Sequence, residues 1–258
     1  MKPVITYITI TYNAAAVLQR TLDSVLCQDY PYIRHLIIDG ASTDATLQLV
    51  EDYTHRSNAA ENGHDVQVSS EPDHGIYDAM NKGLRSATGD YVCFLNAGDF
   101  LPASDTVSRI VSQIGDADVL PAVLYGDTDI VDSEGHFLHH RRLSPPERLN
   151  WRSFRQGMLV CHQAFYARTD FAVANPYDLQ YRFSADVDWC IRIMRQADKE
   201  QVPLLNLHMT VANYTEEGQT TLHHRESLRE RYRVMQHHYG RVQTFLLHVW
   251  FVLRAVIK

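Results

Sequence analysis

Apolar residues between positions 1 and 125 recur at two spacings, one typical of strands and one typical of helices. Short runs rich in β-branched residues predict buried strands, and apolar residues at helical spacing predict amphipathic helices between them. The predicted strands cover residues 4–11, 35–38, 66–69 and 91–95. The helices are predicted to start after Asn13, after Ser42 or Asp44, at Ile76 and after Ser104. This alternation is typical of a doubly wound, mostly parallel α/β sheet with helices on both faces.

The rest of the chain continues with less regular elements. β-prone runs flank a turn at residues 132–135 and predict a hairpin followed by a loop, and a further helix is predicted to begin near Asp186. Residues 222–258 form a helical tail in this prediction, with a basic helix over 225–239 and an apolar stretch over 245–253. That stretch is too short to span a bilayer.

Polar side chains directly follow each of the four predicted strands. They are Thr11-Tyr12-Asn13, Asp39-Gly40, Glu71 to Asp73, and Asn96 to Asp99. In doubly wound sheets, ligands bind beyond the carboxyl ends of the strands. Helix capping and turn formation account for Asn13, Gly40 and Gly98, but not for the recurring carboxylates. The sequence therefore predicts a ligand site at this edge of the sheet.

Composition and charge narrow the class of protein. Of the 258 residues, 45% are apolar and 21% are charged, as in a globular protein with an ample core. The net charge of −7 combines +5 over residues 219–258 with −12 over the remainder, and an acidic body argues against a nucleic-acid binder. The sequence lacks GxGxxG after its first strand and GxxxxGK(S/T) anywhere, which disfavours classical dinucleotide and P-loop sites. A bound nucleotide would therefore need a cation between its phosphates and these carboxylates.

The cysteines and the N-terminal segment indicate the cellular compartment of the protein. The four cysteines have no CxxC spacing and lie in apolar contexts, so we expect core thiols in a reducing cytosol. The N-terminal segment has the pattern of a strand rather than that of a signal peptide. We therefore expect a cytoplasmic protein whose basic and apolar tail contacts the inner face of the plasma membrane.

Five segments resemble the motifs of the family 2 glycosyltransferases, inverting enzymes with the GT-A fold. They are ITITYN (8–13), LIIDGASTD (36–44), SEPDHGIYDAMNKGLRSATGDYVCFLNAGD (70–99), CHQAFYARTDF (161–171) and FSADVDWCIRI (183–193). Their order and spacing together are specific, and the resemblance covers roughly residues 3–221. It implies a GT-A domain over 1–221, with a donor-binding half over about 1–125 and an acceptor half over about 126–221.

The resemblance also implies roles for individual residues. Asp39 would accept a hydrogen bond from the ring N–H of the base, Asp99 would bind a divalent cation (Mn²⁺ or Mg²⁺) on the diphosphate, and Asp186 would be the catalytic base. The donor, a UDP-sugar by this resemblance, would be bound by Thr11, Tyr12, Asn13, Asp39, Asp73, Tyr77, Lys82 and Asn96. In relatives, a loop at the position of residues 214–221 covers the diphosphate, and Gly218 is the glycine that this chain keeps in that loop.

Two departures from the family pattern concern the cation. Many relatives have a second aspartate where this chain has Ile38, and many carry DxDD where this chain has Asn96-Ala97-Gly98-Asp99. The sequence therefore supplies one clear carboxylate. One can suffice, because Mg²⁺ is commonly held by one or two carboxylates together with substrate phosphates and waters. The alternative is a metal-independent enzyme in which Asp99 only turns the strand.

Asp186 and Asp188 compete for the role of base. Motif alignment favours Asp186, which leaves Asp188 to cap the helix or to orient the acceptor. The resemblance places His162 beside the acceptor as well, where it would bind or orient rather than act as the base. A buried histidine satisfied by its neighbours is the alternative for His162.

Alternatives remain for what the C-terminal tail contacts and for the function of the protein. A tail on anionic lipid would fit an acceptor carried on a polyprenyl diphosphate, as in bacterial polysaccharide assembly, whereas the same helix could pack on the domain or on a second copy in a homodimer. A sugar nucleotidyltransferase is disfavoured, because TYNAAAVLQR after the first strand has no glycine-rich loop. A non-catalytic scaffold protein of a polysaccharide complex is the remaining alternative function.

Overall fold

The structure, a computed structural model, describes residues 2–115, 119–216 and 224–257. Its strands are β1 Ile5–Thr11, β2 Ile33–Asp39, β3 Asp65–Ser70, β4 Tyr91–Phe94, β5 Val123–Val131, β6 Phe137–His140, β7 Phe165–Arg168 and β8 Leu204–Thr215. Its helices are α1 Ala15–Leu26, α2 Thr46–Ala59, α3 Ile76–Ser86, α4 Thr106–Ile114, α5 Thr169–Ala174, α6 Ala185–Glu200, α7 His224–Tyr239 and α8 Arg241–Ile257. Short 3-10 helices cover Trp151–Gln156 and His162–Ala164.

The strands form one sheet in the order β3-β2-β1-β4-β7-β5-β6, and β8 pairs with β5. β3, β2, β1 and β4 run parallel, β7 is antiparallel to both β4 and β5, and β8 runs parallel to β5. The predicted mostly parallel α/β sheet is confirmed. The predicted hairpin is also present, because β5 and β6 pair antiparallel across the turn.

Apolar side chains cover both faces of the sheet. On one face, Leu18 and Leu22 of α1 pack with Ile37, Val50 and Tyr53, while the main core fills the other face. All seven residues of β1 are buried, as expected for a central strand of a doubly wound sheet. Not every apolar residue at helical spacing is buried: Val17 of α1 is 47% exposed and Leu47 of α2 is 36% exposed.

The prediction that Asn13 caps α1 is wrong. Asn13 has a positive φ of 47°, and its Oδ1 accepts from Thr43 N at 2.9 Å. The first N–H groups of α1 are satisfied from the next βα loop instead: Ala14 N donates to Thr46 Oγ1 and Ala15 N to Asp44 Oδ2. The two loops at this edge of the sheet therefore hold each other in place.

The C-terminal region is only in part a separate tail. Val234, Met235 and Tyr239 of α7 belong to the main core. α8 follows α7 after Gly240 and packs back through Thr244, which is fully buried. Among the residues described, we find no helix with the length and hydrophobicity that a bilayer crossing requires.

Candidate active site

Strand register brings three polar residues together at the carboxyl edge of the sheet. Thr11 pairs with Asp39, and Asp39 pairs with Ser70. Asp39 is fully buried, and its carboxylate accepts from Ser70 Oγ at 2.6 Å and from the backbone N–H of Ser42 at 2.9 Å. Thr11 Oγ1 is buried and has no hydrogen-bond partner in the described part of the chain. These contacts fix the orientation of Asp39, and the hydroxyl of Thr11 on the neighbouring strand keeps unused hydrogen-bonding capacity among the described residues.

Tyr12 and Asp73 meet above Gly40. A Cβ atom on Gly40 would lie 2.4 Å from Asp73 Oδ2 and 3.3 Å from Tyr12 Cδ2, so only glycine lets them approach so closely. The Tyr12 side chain is 64% exposed, which leaves its ring accessible to a planar ligand. Asp73 is held by Gly75 N, which donates to its Oδ1 at 2.8 Å. An exposed ring next to a fixed carboxylate is suited to a nucleoside.

Lys82 lies behind this pocket. Its Nζ is 3.0 Å from Glu71 Oε1 and donates to Pro72 O at 2.7 Å. Lys82 is therefore already neutralised within the protein. Its contacts tie the segment that carries Asp73 to α3, so it shapes the pocket in this structure.

At the end of β4, Asp99 is buried and held by a residue that the sequence did not single out. The side chain of Gln163, itself 1% exposed, donates from Nε2 to Asp99 Oδ2 at 2.7 Å. Cys161 Sγ contacts Gln163 Oε1 at 2.6 Å, which fixes the orientation of the amide. Burial raises the pKa of Asp99 to about 6 despite the hydrogen bond from Gln163. The signal available in the sequence was the Cys161-His162-Gln163 segment, but only the fold shows which residue Gln163 contacts.

The residues around Asp99 fit a divalent cation in part. Asn96 lies on the same turn, where Asp99 N donates to Asn96 O, and Asn96 Oδ1 is buried without a hydrogen-bond partner among the described residues. Amide and carboxylate oxygens are ligands that Mg²⁺ and Mn²⁺ prefer. In the described ranges, no group of three or more His, Cys, Asp or Glu side chains could hold a metal. The site therefore fits an ion that takes its remaining ligands from a bound substrate.

Asp186 lies in the first turn of α6 and faces residues from three other elements. Tyr77 OH donates to its Oδ1 at 3.2 Å, and Oδ2 lies 3.6 Å from His162 Nδ1. His162 Nε2 is in turn 3.1 Å from Asn96 Nδ2, so a continuous chain of polar contacts links Asp186 to the end of β4. Burial raises the pKa of Asp186, but His162 and the charge of Arg231 outweigh burial and leave it below its ordinary value. Asp186 is thus ionised at neutral pH.

The structure does not bring Asp188 to this cluster. Its side chain is 4% exposed and accepts from His238 Nε2 and Arg192 Nε, both at 2.7 Å. Asp188 thus lies between α6 and α7. Side chains two positions apart on an α-helix, such as Asp186 and Asp188, point in directions that differ by about 200° around the helix axis. The predicted loop over the diphosphate, including Gly218, falls largely outside the described residues.

A mostly parallel sheet with carboxylates at the carboxyl ends of its parallel strands is consistent with the GT-A type fold. The family model "Glycosyl transferase family 2" matches residues 6–173. The chain therefore belongs to glycosyl transferase family 2, which confirms the resemblance drawn from its motifs. It is similar to the "PGL/p-HBAD biosynthesis glycosyltransferase" of Mycobacterium bovis (strain BCG / Pasteur 1173P2), with 34% identity over 217 residues that cover 84% of this chain and 78% of the relative.

Two solved structures share the fold at low sequence identity. S. aureus TarS in complex with UDP superposes with a TM-score of 0.68 and 18% identity, over 90% of this chain and 63% of that chain. The mannosyltransferase PcManGT from Pyrobaculum calidifontis, in complex with GDP-Man and Mn²⁺, gives a TM-score of 0.60 and 20% identity, over 96% of this chain and 65% of that chain. This chain thus spans less than two thirds of either structure.

Proposed function

We propose that this protein is an inverting glycosyltransferase that moves a sugar from a UDP-sugar to a hydroxyl of a glycan or lipid-linked glycan in bacterial polysaccharide synthesis. The observation that carries this proposal is the position of Asp186, an ionised carboxylate linked through His162 to the end of β4, where Asn96 and Asp99 lie. TarS and PcManGT, which share the fold, bind UDP and GDP-Man.

The nucleoside would occupy the pocket of Tyr12, Asp39 and Asp73. Tyr12 offers an exposed ring for stacking on the base, and a carboxylate fixed by Ser42 and Ser70 can accept from the ring N–H. Thr11 Oγ1, buried and without a partner among the described residues, adds a further polar group at this pocket.

The transfer itself needs a base opposite the leaving group. The acceptor oxygen attacks the anomeric carbon and forms the new C–O bond. The bond from that carbon to the diphosphate oxygen breaks, the bonding electrons leave with the diphosphate, and the hydroxyl proton passes to Asp186. Tyr77 remains a hydrogen-bond donor because burial raises its pKa well above the ordinary value, so it orients Asp186 together with His162. A single displacement of this kind inverts the anomeric configuration.

A divalent cation, Mn²⁺ or Mg²⁺, would be held by the carboxylate of Asp99 and by Asn96 Oδ1. When bound, it would neutralise the charge that develops on the departing diphosphate. The Mn²⁺ in the PcManGT complex supports this assignment.

Calorimetry and turnover of wild type and Asp186→Asn test the proposal. UDP should bind both proteins equally in the presence of Mn²⁺, while turnover of the variant falls by about 10² to 10⁴, as expected for loss of a general base. The anomeric configuration of the product, read by NMR, should be opposite to that of the donor. No nucleoside diphosphate binding by the wild type would favour the scaffold alternative, and retained configuration would exclude the single displacement.

The acceptor side of the proposal includes a lipid surface. α8 exposes six apolar residues at helical spacing: Val242, Phe245, Leu246, Val249, Trp250 and Leu253. Thr244, Leu247 and His248 on the opposite side face the protein. A helix with one apolar face open to solvent, an interfacial Trp and basic residues nearby fits the headgroup region of an anionic membrane. A lipid-linked acceptor would then reach the active site from that membrane.

A further inference from the structure

Arg231 occupies an inward position of α7. The buried residues of this helix recur at helical spacing: Ser227, Val234, Met235 and His238. Arg231 lies four residues after Ser227 and three before Val234, so its side chain continues the same stripe. A guanidinium at a core-facing position costs free energy unless something compensates it.

Hydrogen bonds hold the part of α7 around Arg231 against the start of α6, where Asp186 lies. Ser184 Oγ donates to Ser227 O at 3.3 Å. The carboxylate of Glu230 accepts from Arg182 N at 2.7 Å and from Phe183 N at 2.5 Å, and so holds the segment just before α6. The positive charge of Arg231, the next residue, helps to hold the pKa of Asp186 below its ordinary value.

Arg231 differs from the other cations near the active site. Lys82 is paired with Glu71, and Arg192 with Asp188. Arg141 donates to the backbone carbonyls of Leu143, Met158 and Leu159. By contrast, the structure shows no ion pair between Arg231 and any described residue, and its Nε is buried without a hydrogen-bond partner.

From this arrangement we infer that Arg231 binds a phosphate group of a substrate beside Asp186. The inference rests on the proposed function. The phosphate belongs either to the diphosphate of the donor or to a phosphate that links the acceptor to its lipid. Arginine suits either one, because its planar N–H groups match phosphate oxygens and its charge persists at any physiological pH. The arrangement also explains why a charge is kept in an apolar stripe, where it lowers the basicity of Asp186.

The experiment compares Arg231→Met and Arg231→Lys with wild type in the full-length protein. Arg233→Met is the matched control, because Arg233 lies on the same helix and is exposed. UDP with Mn²⁺ probes the donor, and dimethylallyl diphosphate probes a phosphate-linked acceptor. Calorimetry measures affinity for both probes, and thermal unfolding shows whether each variant is folded.

We expect Arg231→Met to remain folded and to unfold near the temperature of wild type, because an apolar residue of similar length preserves the packing of the stripe. Its affinity for one probe should fall at least about tenfold, the size of a lost charge-assisted hydrogen bond. Arg231→Lys should retain part of that affinity, and Arg233→Met all of it. Loss confined to UDP assigns the phosphate to the donor, and loss confined to dimethylallyl diphosphate assigns it to the acceptor.

Unchanged affinity of Arg231→Met for both probes overturns the inference, even if the variant alters the pH dependence of turnover, because Arg231 would then act only on Asp186. A wild type that binds neither probe overturns it as well. A wild type that binds dimethylallyl diphosphate but not UDP contradicts the proposed donor, and Arg231 is then judged on the acceptor probe alone.

Discussion

At the scale of single residues, burial gives Asp99 a chemistry that an exposed aspartate lacks. Its side chain is almost fully enclosed, and Gln163 fixes one carboxylate oxygen. The pKa of about 6 means that the protonated form is populated in mildly acidic solution. A cation binds only the ionised form, so ion binding and proton release are coupled at this position.

Replacing Asp99 with Asn should stabilise the protein at neutral pH. The folded pKa of about 6 lies above the ordinary value of 3.8, so the folded state holds a proton that the unfolded state has lost between these pH values. Wild-type stability therefore falls as pH rises from about 4 to 6 and then levels, while Asp99→Asn lacks this dependence. The gain in the free energy of unfolding should approach about 3 kcal/mol above pH 6 in urea titrations without metal. Equal slopes of stability against pH for both proteins would contradict this assignment.

At the scale of elements, the junction of α6 and α7 is held by hydrogen bonds to the buried carboxylate of Asp188. Asp188 on α6 accepts from Arg192 on the same helix and from His238 on α7, and His238 Nδ1 lies 3.3 Å from Arg195. Burial raises the pKa of Asp188, but His238 and Arg192 outweigh it and hold the pKa below its ordinary value. This junction fixes α7, and with it Arg231, against the helix that carries Asp186.

Asp188→Ala should lower the free energy of unfolding by about 3–5 kcal/mol at pH 7, because it removes the buried carboxylate that accepts from His238 Nε2 and from the guanidinium of Arg192. The matched control is Asp170→Ala, which removes another Arg–Asp pair whose carboxylate is 62% exposed and should cost less than about 1 kcal/mol. Because the pKa of Asp188 is lowered, the difference between wild type and Asp188→Ala should shrink as pH falls through that pKa. Folded Asp188→Ala with the same stability as wild type at pH 7 would contradict this structural role.

The exposed face of α8 gives a second prediction for an element. Phe245→Glu and Trp250→Glu should each weaken binding to anionic lipid vesicles at least about tenfold. Each substitution replaces an apolar side chain that the membrane would bury with a charge at the membrane surface. Gln243→Glu adds the same charge to an exposed position outside the apolar stripe and should retain most of the binding. Sedimentation of protein with vesicles measures this directly. If the substitutions instead convert a dimer into a monomer, a second copy of the chain covers this face.

At the scale of the whole molecule, the central sheet contains a buried histidine that limits acid stability. His35 on β2 is fully buried between Thr9 Oγ1 and Tyr53 OH, at 2.8 Å and 2.7 Å. Burial lowers its pKa to about 3. The three side chains join β1, β2 and α2, so protonation of His35 opposes the packing of one whole face of the sheet.

The protein should therefore lose stability in acid partly through His35. Its folded pKa lies below the ordinary value of 6.5, so the unfolded state binds a proton first and stability falls as pH drops below about 6.5. The loss from this group should reach roughly 3 kcal/mol by pH 4. His35→Gln should flatten that slope in urea titrations, whereas His55→Gln, at a side chain that is 75% exposed, should not. A slope unchanged by His35→Gln would mean that other groups control acid unfolding.

Much of the secondary structure could be predicted from local patterns in the sequence. The four parallel strands, the helices between them, the hairpin at residues 132–135 and the basic helix of the C-terminal region were all predicted from spacing alone. Local periodicity suffices because each strand or helix must bury one face, and the spacing of its apolar residues marks that face. The gathering of polar side chains at one edge of the sheet was predicted as well, since the carboxyl ends of parallel strands share one edge.

The structure decided which side chains meet at that edge. Gln163 contacts Asp99, and Asp186 contacts Tyr77, in each case across more than sixty residues of chain. The spacing of apolar residues carries no information about contacts over such separations. Asp186 and Asp188 competed for one role in ADVDWCIRI, and the structure shows that Asp186 contacts Tyr77 and His162 while Asp188 lies between α6 and α7. The sequence by itself determined the elements and their edge, because periodicity is local. Tertiary packing alone determined the partners and charge states of the site residues, because burial and electrostatic contacts depend on what each face is packed against.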